Sequence, residues 1–386
     1  MPFNSERFEP TDTALQARLS AIDINGYSKT RNHLNGRVTY LSPYITHGFT
    51  TIPALFEQLP KLNLADKLAF EFGWREFFHH VWSREGDSIL SDLRPGLPGV
   101  RYAEQLPDDI REGRTGLAPI DRAIHQLYQT GYLHNHARMW IASYVVHLRK
   151  VRWRAGADWM FAHLLDGDLA SNHLSWQWVA ATFSNKPYLF NAENVARYAP
   201  ADWHCAGSAL DCSYEELDRI ARGNAVLDAS AALLGATEPV LLATPPESAM
   251  PPVTSLPKAG RIRLVHPWML ADRTFDGMRL GVIHLPFHQK FLWSGLRWRF
   301  VMDRMSEITD AVFVGDLNEL KNMLSETPQI ESTATLNPGY RELLPALCTQ
   351  LADAPHRFAN PVKTCRSFSE FWAQSANEQP QRGWHR

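Results

Sequence analysis

Residues 166–178 are the most informative segment of this 386-residue sequence. The segment reads Asp-Gly-Asp-Leu-Ala-Ser-Asn-His-Leu-Ser-Trp-Gln-Trp, which places two carboxylates, an amide and two indoles in one loop-to-helix turn. Asp168, Asn172 and Trp176 follow at i, i+4 and i+8, so they share one stripe of a helix predicted to begin near Leu169. Such a stripe suits a flat ring that needs hydrogen bonds at its rim and aromatic contact on its face.

Plainer interpretations of this segment stay open on these residues alone. Asp168 could be a helix N-cap that follows a turn at Asp166-Gly167, and the tryptophans could be core residues. A calcium loop is disfavoured, because the segment lacks the later glycine and the terminal glutamate of an EF-hand.

Two runs further upstream combine charged or hydroxyl groups with helix signals. Ser42 followed by Pro43 predicts a helix with Ser42 as its N-cap, a start that is either an ordinary cap or a seat for phosphate. Glu71, Trp74 and Arg75 face one way on a phenylalanine-rich helix. The helix is predicted to be largely buried, so its charges need partners, whereas a surface Glu–Arg pair is the plainer alternative.

A third run, residues 131–140, again presents several functional side chains on one helix face. Asn135, Arg138 and Met139 share that face, and Arg138 is predicted to pair with a carboxylate of the Asp166-Gly-Asp168 turn. Met139 offers a soft contact suited to a flat ring. His134 and His136 stand two residues apart, on opposite sides of a helix, so no metal site is predicted there.

Composition limits the classes of protein and partner. The net charge of −2 and the pI of about 6.8 give no global basic field, so any contact with DNA must use a local patch. The four cysteines match no common zinc spacing and are predicted to be free thiols. No signal-peptide core and no apolar run of membrane-spanning length is present in the sequence. We therefore expect a soluble, cytoplasmic protein that uses neither a metal nor a membrane.

The pattern of apolar residues divides the chain into three stretches. Residues 1–225 are predicted to be mostly helical, and residues 226–260 have the Pro- and Ala-rich composition of a linker. In residues 261–386, predicted strands alternate with helices, which indicates a small α/β domain with a parallel sheet. The predicted strands are 261–266, 280–285 and 310–315, and the predicted helices are 293–308, 317–324, 340–351 and 367–376.

Taken in order, these runs resemble the flavin domain of the DNA photolyase/cryptochrome family. The resemblance covers about residues 23–194 and rests on Thr39-Tyr-Leu41-Ser42, Gly73-Trp74-Arg75-Glu76-Phe77, His134-Asn135-x-x-Arg138-Met139, Asp166-Gly-Asp168 and Asn172…Trp176-Gln-Trp178. It implies an all-helical domain that holds a folded FAD below a cavity for a damaged dinucleotide flipped out of DNA. The expected fold class is mainly α, a photolyase-like FAD-binding domain followed by a smaller α/β domain.

The resemblance also implies a role for each matching position. The FAD-binding residues would be Tyr27, Thr39, Leu41, Ser42, Arg75, Arg138, Asp166, Asp168 and Asn172. Within that set, Asp166 would pair with Arg138, and Asn172 would face N5 of the flavin. The lesion cavity, where catalysis takes place, would be lined by Glu71, Trp74, Asn135, Met139 and Trp178. Trp176 and Trp153 match the inner and middle members of an electron-transfer relay.

Three features depart from the family pattern. Arg114 stands at the outer position of the tryptophan relay, so Trp159 or Trp140 is an alternative end of the path. The usual N-terminal α/β antenna domain is absent, since the flavin domain begins almost at once. Residues 261–386 are predicted to be a relocated antenna-like layer, with an unrelated C-terminal module as the alternative.

The function implied by the resemblance is that of a deoxyribodipyrimidine photolyase, a carbon–carbon lyase. Photoexcited, reduced FAD donates one electron to a cyclobutane pyrimidine dimer in UV-damaged DNA, the dimer splits, and the electron returns. Asn135 and Met139 stand where enzymes for (6-4) photoproducts carry histidines, which favours cyclobutane dimers. The shortened architecture leaves fewer surfaces to grip a duplex and favours single-stranded DNA, with double-stranded DNA as the alternative. A cryptochrome-like blue-light receptor that uses the same FAD pocket without repair is the alternative function.

Overall fold

The computed structural model describes residues 8–227, 235–246, 253 and 260–376. Backbone packing divides the chain into two compact units, and each is assembled from separated stretches. Within the described residues, the first unit comprises Asn25–Val38 and Asp87–Val240, and the second comprises Phe8–Ile24, Thr39–Gly86 and Leu241–Arg386. The sequence-based boundaries at 225 and 260 stay a prediction. No helix in the described part of the chain is long and apolar enough to cross a membrane.

Helices make up most of residues 8–227 and recur between the later strands. In chain order they are α1 (Asp12–Ser20), α2 (Ile24–Thr30), α3 (Ser42–Thr46), α4 (Ile52–Gln58), α5 (Lys67–Glu85), α6 (Asp108–Arg111), α7 (Ala118–Thr130), α8 (Asn135–Ser143), α9 (Trp153–His163), α10 (Leu169–Ala180), α11 (Ala192–Tyr198), α12 (Tyr214–Arg222), α13 (Leu285–Lys290), α14 (Gly295–Ile308), α15 (Leu317–Met323), α16 (Tyr340–Leu347) and α17 (Phe368–Ser375).

Helix α7 illustrates how the first unit forms its core. Its buried residues Ile120, Ile124 and Leu127 recur at i, i+4 and i+7, so one face of the helix packs inward. The helix ends at Gly131, whose φ of 66° is left-handed. A Cβ at Gly131 would also lie 2.6 Å from Cγ of Leu165, so glycine fixes both the end of α7 and the close approach of the segment before α10.

The second unit contains a parallel sheet. Its strands are β2 (Arg261–Val265), β3 (Met278–His284), β5 (Ala311–Gly315), β6 (Gln329–Thr333) and β7 (Gln350–Ala352), and the short strands β1 (Leu241–Leu242) and β4 (Trp293–Ser294) pair with each other antiparallel. The five-stranded sheet has the order β5-β3-β2-β6-β7 with every neighbouring pair parallel, the pattern of a doubly wound α/β layer. The predicted fold class, helical first and then α/β, is confirmed.

Two strands of the five-stranded sheet escaped prediction, as did the short strands β1 and β4, and the helix predicted over 340–351 was too long. Strand β6 reads Gln-Ile-Glu-Ser-Thr and β7 reads Gln-Leu-Ala, so neither offers the apolar run that identified β2, β3 and β5. The helix predicted over 340–351 ends at Leu347, and its last residues belong to β7.

The predicted linker 226–260 is only partly covered by the structure. Residues 228–234, 247–252 and 254–259 lie outside the described residues. In the described portion, the Glu238 carboxylate accepts hydrogen bonds from Arg111 at 2.6 Å and is 2.9 Å from Nε2 of His163. The end of this portion, Leu241–Leu242, is strand β1 of the second unit.

Residues 357–375, hereafter the C-terminal strap, are fastened along helix α5 within the second unit. The Glu76 carboxylate accepts the backbone N–H of Arg357 at 2.7 Å and that of Phe358 at 2.8 Å. One ring nitrogen of His80 lies 2.6 Å from Oδ1 of Asn360, and the other accepts the backbone N–H of Cys365 at 2.9 Å. Three of these contacts satisfy backbone donors of an otherwise irregular segment, so they fix its path.

The carboxyl group of Glu76 gives this fastening a pH dependence. Burial raises the pKa of Glu76 from its ordinary value of 4.5 to about 7, against the lowering effect of the two backbone donors. The folded protein therefore binds more protons than the unfolded chain between these two pKa values. Through that window the free energy of unfolding contributed by Glu76 falls as the pH rises.

We expect Glu76→Gln to remove this slope, which for one proton is at most about 1.4 kcal/mol per pH unit. Urea unfolding at a series of pH values from 4.5 to 8 measures it. The exposed Glu57→Gln serves as the control and should leave the profile as in the wild type. Identical profiles for wild type and Glu76→Gln would contradict the assignment of the slope to Glu76.

Candidate functional site

An ion pair joins the start of α8 to the turn that precedes α10. The Arg138 guanidinium donates from Nη2 to Oδ2 of Asp166 at 2.7 Å and from Nε to the carbonyl of Leu133 at 2.9 Å. The Asp166 side chain is only 3% exposed. Burial lowers the pKa of Arg138, but the neighbouring carboxylate outweighs it, and the net shift is upward. The predicted pairing of Arg138 with Asp166 is confirmed.

Helix α10 begins at Leu169, as predicted, and Asp168 is its N-cap. The Oδ1 atom of Asp168 accepts the backbone N–H of Ser171 at 2.7 Å, so the plainer interpretation of this residue is realised. One turn on, the buried Asn172 donates from Nδ2 to the carbonyl of Ala157 at 2.8 Å. Because the amino end of the amide meets the backbone of α9, its oxygen is the end that could accept from a ring N–H of a cofactor.

Both tryptophans predicted to form the relay, Trp176 and Trp153, are buried and closely held in the first unit. Trp176 lies against Gly156 of α9, where an added Cβ would be 2.4 Å from its ring. Trp153 donates from Nε1 to Oδ1 of Asp92 at 2.5 Å and meets the ring of His173 edge-on at 6.2 Å. The Asp92 acceptor had not been identified from the sequence, because its partner lies 61 residues away and no spacing signals it.

The alternative relay residues have structural partners of their own. Trp159 donates from Nε1 to the hydroxyl of Tyr128 at 3.1 Å, and Trp140 donates to Oδ1 of Asn194 at 3.1 Å. Both indoles are buried in the core. At the predicted outer position, Arg114 is exposed and forms an ion pair with Glu112. The path by which electrons would leave the tryptophan pair therefore stays a prediction.

The predicted lesion residues of the first unit are more accessible. Nδ2 of Asn135 lies 3.5 Å from Sδ of Met139, which brings these two neighbours on α8 into contact. Asn135 is exposed and Met139 is half-buried. Trp178, near the end of α10, is 37% exposed and lies 5.9 Å from the ring of Tyr188. Exposed amide and indole groups of this kind are available to a ligand.

The Ser42 segment of the second unit differs from the prediction. Helix α3 begins at Ser42, and Leu41 takes the N-cap position in a helical conformation (φ −87°, ψ −15°) without a side-chain cap bond. The expectation that Ser42 is the N-cap was therefore wrong. Oγ1 of Thr39 accepts the N–H of Leu41 at 3.4 Å. At five residues, α3 is also too short to form an anion seat from its N-terminus alone.

On α5, Glu71, Trp74 and Arg75 lie on one side of the helix and are half-buried, while Phe72, Phe77 and Phe78 are buried. The prediction of a largely buried helix is confirmed. One ring face of Trp74 is not available to a ligand, because it stacks on Phe368 of the C-terminal strap.

The predicted site residues therefore form two groups, one in each unit. The first unit contains Tyr27, Asn135, Arg138, Met139, Trp153, Asp166, Asp168, Asn172, Trp176 and Trp178, and the second contains Thr39, Leu41, Ser42, Glu71, Trp74 and Arg75. The roles assigned to them individually stay predictions.

Comparison with known proteins identifies the class of domain that these residues build. Residues 68–202 match the family model described as the FAD binding domain of DNA photolyase. This region contains α5 except for its first residue, the Arg138–Asp166 pair and the whole of α10. It is a flavoprotein domain, and its cofactor is FAD.

Curated relatives and solved structures extend the comparison. A deoxyribodipyrimidine photo-lyase of Streptomyces griseus is 35% identical over 40% of this chain and 35% of its own length. A cryptochrome DASH of Xenopus laevis is 28% identical over 52% of this chain and 40% of its own length. The crystal structures of a Synechocystis cryptochrome (24% identity) and an Agrobacterium tumefaciens class III photolyase (25% identity) each overlap 48% of this chain and 42% of their own, with TM-scores of 0.44. Because these overlaps cover less than half of each chain, the resemblance to the family rests on the sequence match.

Residues 68–202 thus resemble the FAD-binding domain of the DNA photolyase/cryptochrome family, and the resemblance predicted from the motifs in that range is confirmed. The chain spans about a third of the length of the first curated relatives it matches.

We expect Asp166→Asn to weaken both folding and cofactor retention. Removing one partner of a buried ion pair costs about 3 kcal/mol, because the other charge is left uncompensated. Urea unfolding and the flavin absorbance per chain measure the two effects. Asp218→Asn, which breaks the exposed Asp218–Arg222 pair on α12, should change little. Equal behaviour of the two variants would contradict the importance of the buried pair.

We expect Gly156→Ala to destabilise the first unit by about 1–3 kcal/mol, because its Cβ overlaps the ring of Trp176. Helix propensity alone would predict a gain from the same change. The matched control is Gly295→Ala in α14, where an added Cβ meets nothing within 4 Å. Thermal unfolding of both variants decides the point, and a gain in stability for Gly156→Ala would show that Trp176 is not held against α9.

Proposed function

We propose that the protein is a light-driven DNA repair enzyme that splits cyclobutane pyrimidine dimers, a deoxyribodipyrimidine photolyase. The observation that carries the proposal is the contact between Asn135 and Met139, which precede and follow Arg138 on α8 in the FAD-binding domain. An exposed amide beside a thioether gives hydrogen bonds to pyrimidine edges and a soft contact to their faces. A receptor that binds no lesion has no use for such a pair.

When bound, reduced FAD would supply the photoexcited electron that opens the dimer. The residues of this chain would then hold the substrate. Trp178 offers an exposed indole on which a base can stack, and Asn135 offers donors and acceptors for a pyrimidine edge. Glu71, when protonated, would donate a hydrogen bond to the pyrimidine and stabilise added negative charge.

A cryptochrome-like blue-light receptor is the second candidate. It is favoured by Arg114, which is exposed and paired with Glu112 where the relay would end in a tryptophan. Relatives named cryptochrome DASH match the chain alongside those named photo-lyase. Repair remains the better proposal, because the loss of one relay residue affects how the flavin is reduced and leaves the predicted substrate groups in place.

The proposal has three further parts: the role of the C-terminal α/β region, the strand preference and the cellular location. The parallel sheet of the second unit supports the prediction that residues 261–386 are an antenna-like layer. The preference between single- and double-stranded DNA and the cytoplasmic location also stay predictions.

Repair is tested with the FAD-loaded, chemically reduced protein and UV-irradiated oligothymidine, in blue light and in darkness. Recovery of thymine absorbance at 260 nm only in the light supports a photolyase. Failure to recover absorbance, with flavin bound and reduced, would reject repair and leave the receptor.

We expect Glu71→Ala to lower the light-dependent repair rate by at least about tenfold, the effect of losing one hydrogen bond to a charged group. The FAD content should stay at the wild-type level, since Glu71 is assigned to the substrate. Glu104→Ala, which removes an exposed carboxylate, is the control. Loss of FAD from Glu71→Ala would show that this residue belongs to the cofactor site instead.

A further inference from the structure

Trp74 and Phe368 form the most regular aromatic stack in the second unit. Their ring centroids lie 4.2 Å apart and their planes differ by 10°. Phe368 is the first residue of α17, and it is buried. Trp74 stays half-buried, so part of its indole remains open although one face is covered.

Further ring contacts hold the indole in this position. Trp74 meets Phe77 edge-on at 5.8 Å and Phe78 at 5.5 Å and 44°, both on its own helix. Phe368 in turn meets Phe70 edge-on at 4.5 Å and Phe77 at 6.0 Å. These phenylalanines pack around Trp74 where α5 meets the C-terminal strap. The indole therefore has few alternative rotamers.

The backbone of α5 approaches the strap closely at one residue. A Cβ at Gly73 would lie 2.4 Å from Cζ3 of Trp372 and 3.4 Å from Cε2 of Phe368. Glycine next to Trp74 thus allows α17 to press against the helix. This contact explains the Gly-Trp order without reference to any cofactor.

Polar contacts fix the remainder of the strap, so α17 cannot slide along α5. Besides the carboxylate of Glu76 and the ring of His80, Arg84 donates to the carbonyl of Pro361 at 2.7 Å. These contacts extend over three turns of α5 beyond Trp74. The strap is thereby tied down independently of the aromatic stack.

We infer that Phe368 is a positioning residue for the substrate: it backs one face of Trp74 so that the open part of the indole is presented to a base of the lesion. This inference rests on the proposed repair function. Phe368 itself touches no substrate. Its effect is to lower the entropy that the indole would lose when a base stacks on it.

A matched pair of variants separates positioning from ordinary core packing. Phe371 lies on the same helix and is buried, but its ring contacts Phe77 at 5.8 Å and His80 at 5.4 Å. Phe368→Leu and Phe371→Leu therefore remove similar buried aromatic surface from α17. Of the two, Phe368→Leu alone removes the stack on Trp74.

The experiment measures binding in darkness, where no photochemistry occurs, with the FAD-loaded full chain. Fluorescence anisotropy gives the Kd for labelled oligothymidine with and without UV irradiation, and thermal unfolding gives stability. We expect Phe368→Leu to bind the irradiated strand about three- to tenfold more weakly, the size of one aromatic pair contact, with no change for the unirradiated strand. Phe371→Leu should lose comparable stability and keep the wild-type Kd, and Phe368→Tyr should restore tight binding.

Equal losses of affinity in the two leucine variants, or none in Phe368→Leu, would overturn the positioning role alone. Phe368→Met, whose longer and more flexible side chain can fill the space left by the ring, decides the same question where the leucine variant does not retain FAD. A wild-type protein that binds irradiated and unirradiated strands equally would overturn the proposed function, and the inference with it. The two failures are distinguished by the wild-type measurement.

Discussion

The buried ion pair between Arg138 and Asp166 is the constraint on which the first unit depends. A carboxylate with almost no exposure needs a charged partner, and that partner must reach it from another helix. The pair fixes the first turn of α8 against the turn before α10, and the rest of the site follows. Asp168 can then cap α10, and Asn172 can reach the backbone of α9 one turn later. The ion pair that stabilises the fold thus also positions Asp168 and Asn172, the polar residues predicted to contact the cofactor.

The second unit achieves comparable order by different means. Helix α5 carries the predicted substrate residues on one side, while aromatic packing and backbone hydrogen bonds to the C-terminal strap hold its other sides. Segments far apart in sequence therefore determine the environment of Trp74. Phe368, near the end of the chain, thus contacts Trp74 in its first quarter. The backbone N–H groups of the strap also provide partners for the Glu76 carboxylate, a charged side chain beside several phenylalanines on α5.

Residue spacing along the chain predicted most of the helices and several strands. Contacts between residues far apart in the sequence could not be predicted from it. The start of α10 followed from its turn and helix signals, the choice of Asp166 as the partner of Arg138 followed from the family resemblance, and strands β2, β3 and β5 followed from their apolar runs. The cap at Ser42 was wrong, because Leu41 already adopts a helical conformation. Strands β6 and β7 were missed, since they are polar and short. Neither Phe368 on Trp74 nor Asp92 on Trp153 has a sequence signal, because each contact joins residues whose separation along the chain is unrelated to any helix or strand period.

We expect the domain over residues 68–202 to bind FAD, with Tyr27, Thr39, Leu41 and Ser42 as predicted cofactor residues outside that range. The most direct measurement is the flavin content of the purified chain, released by denaturation, together with its uptake by chain that has been stripped of flavin. We expect one FAD per chain and saturable recovery of the yellow colour. A colourless protein that takes up no flavin under folding conditions would contradict it.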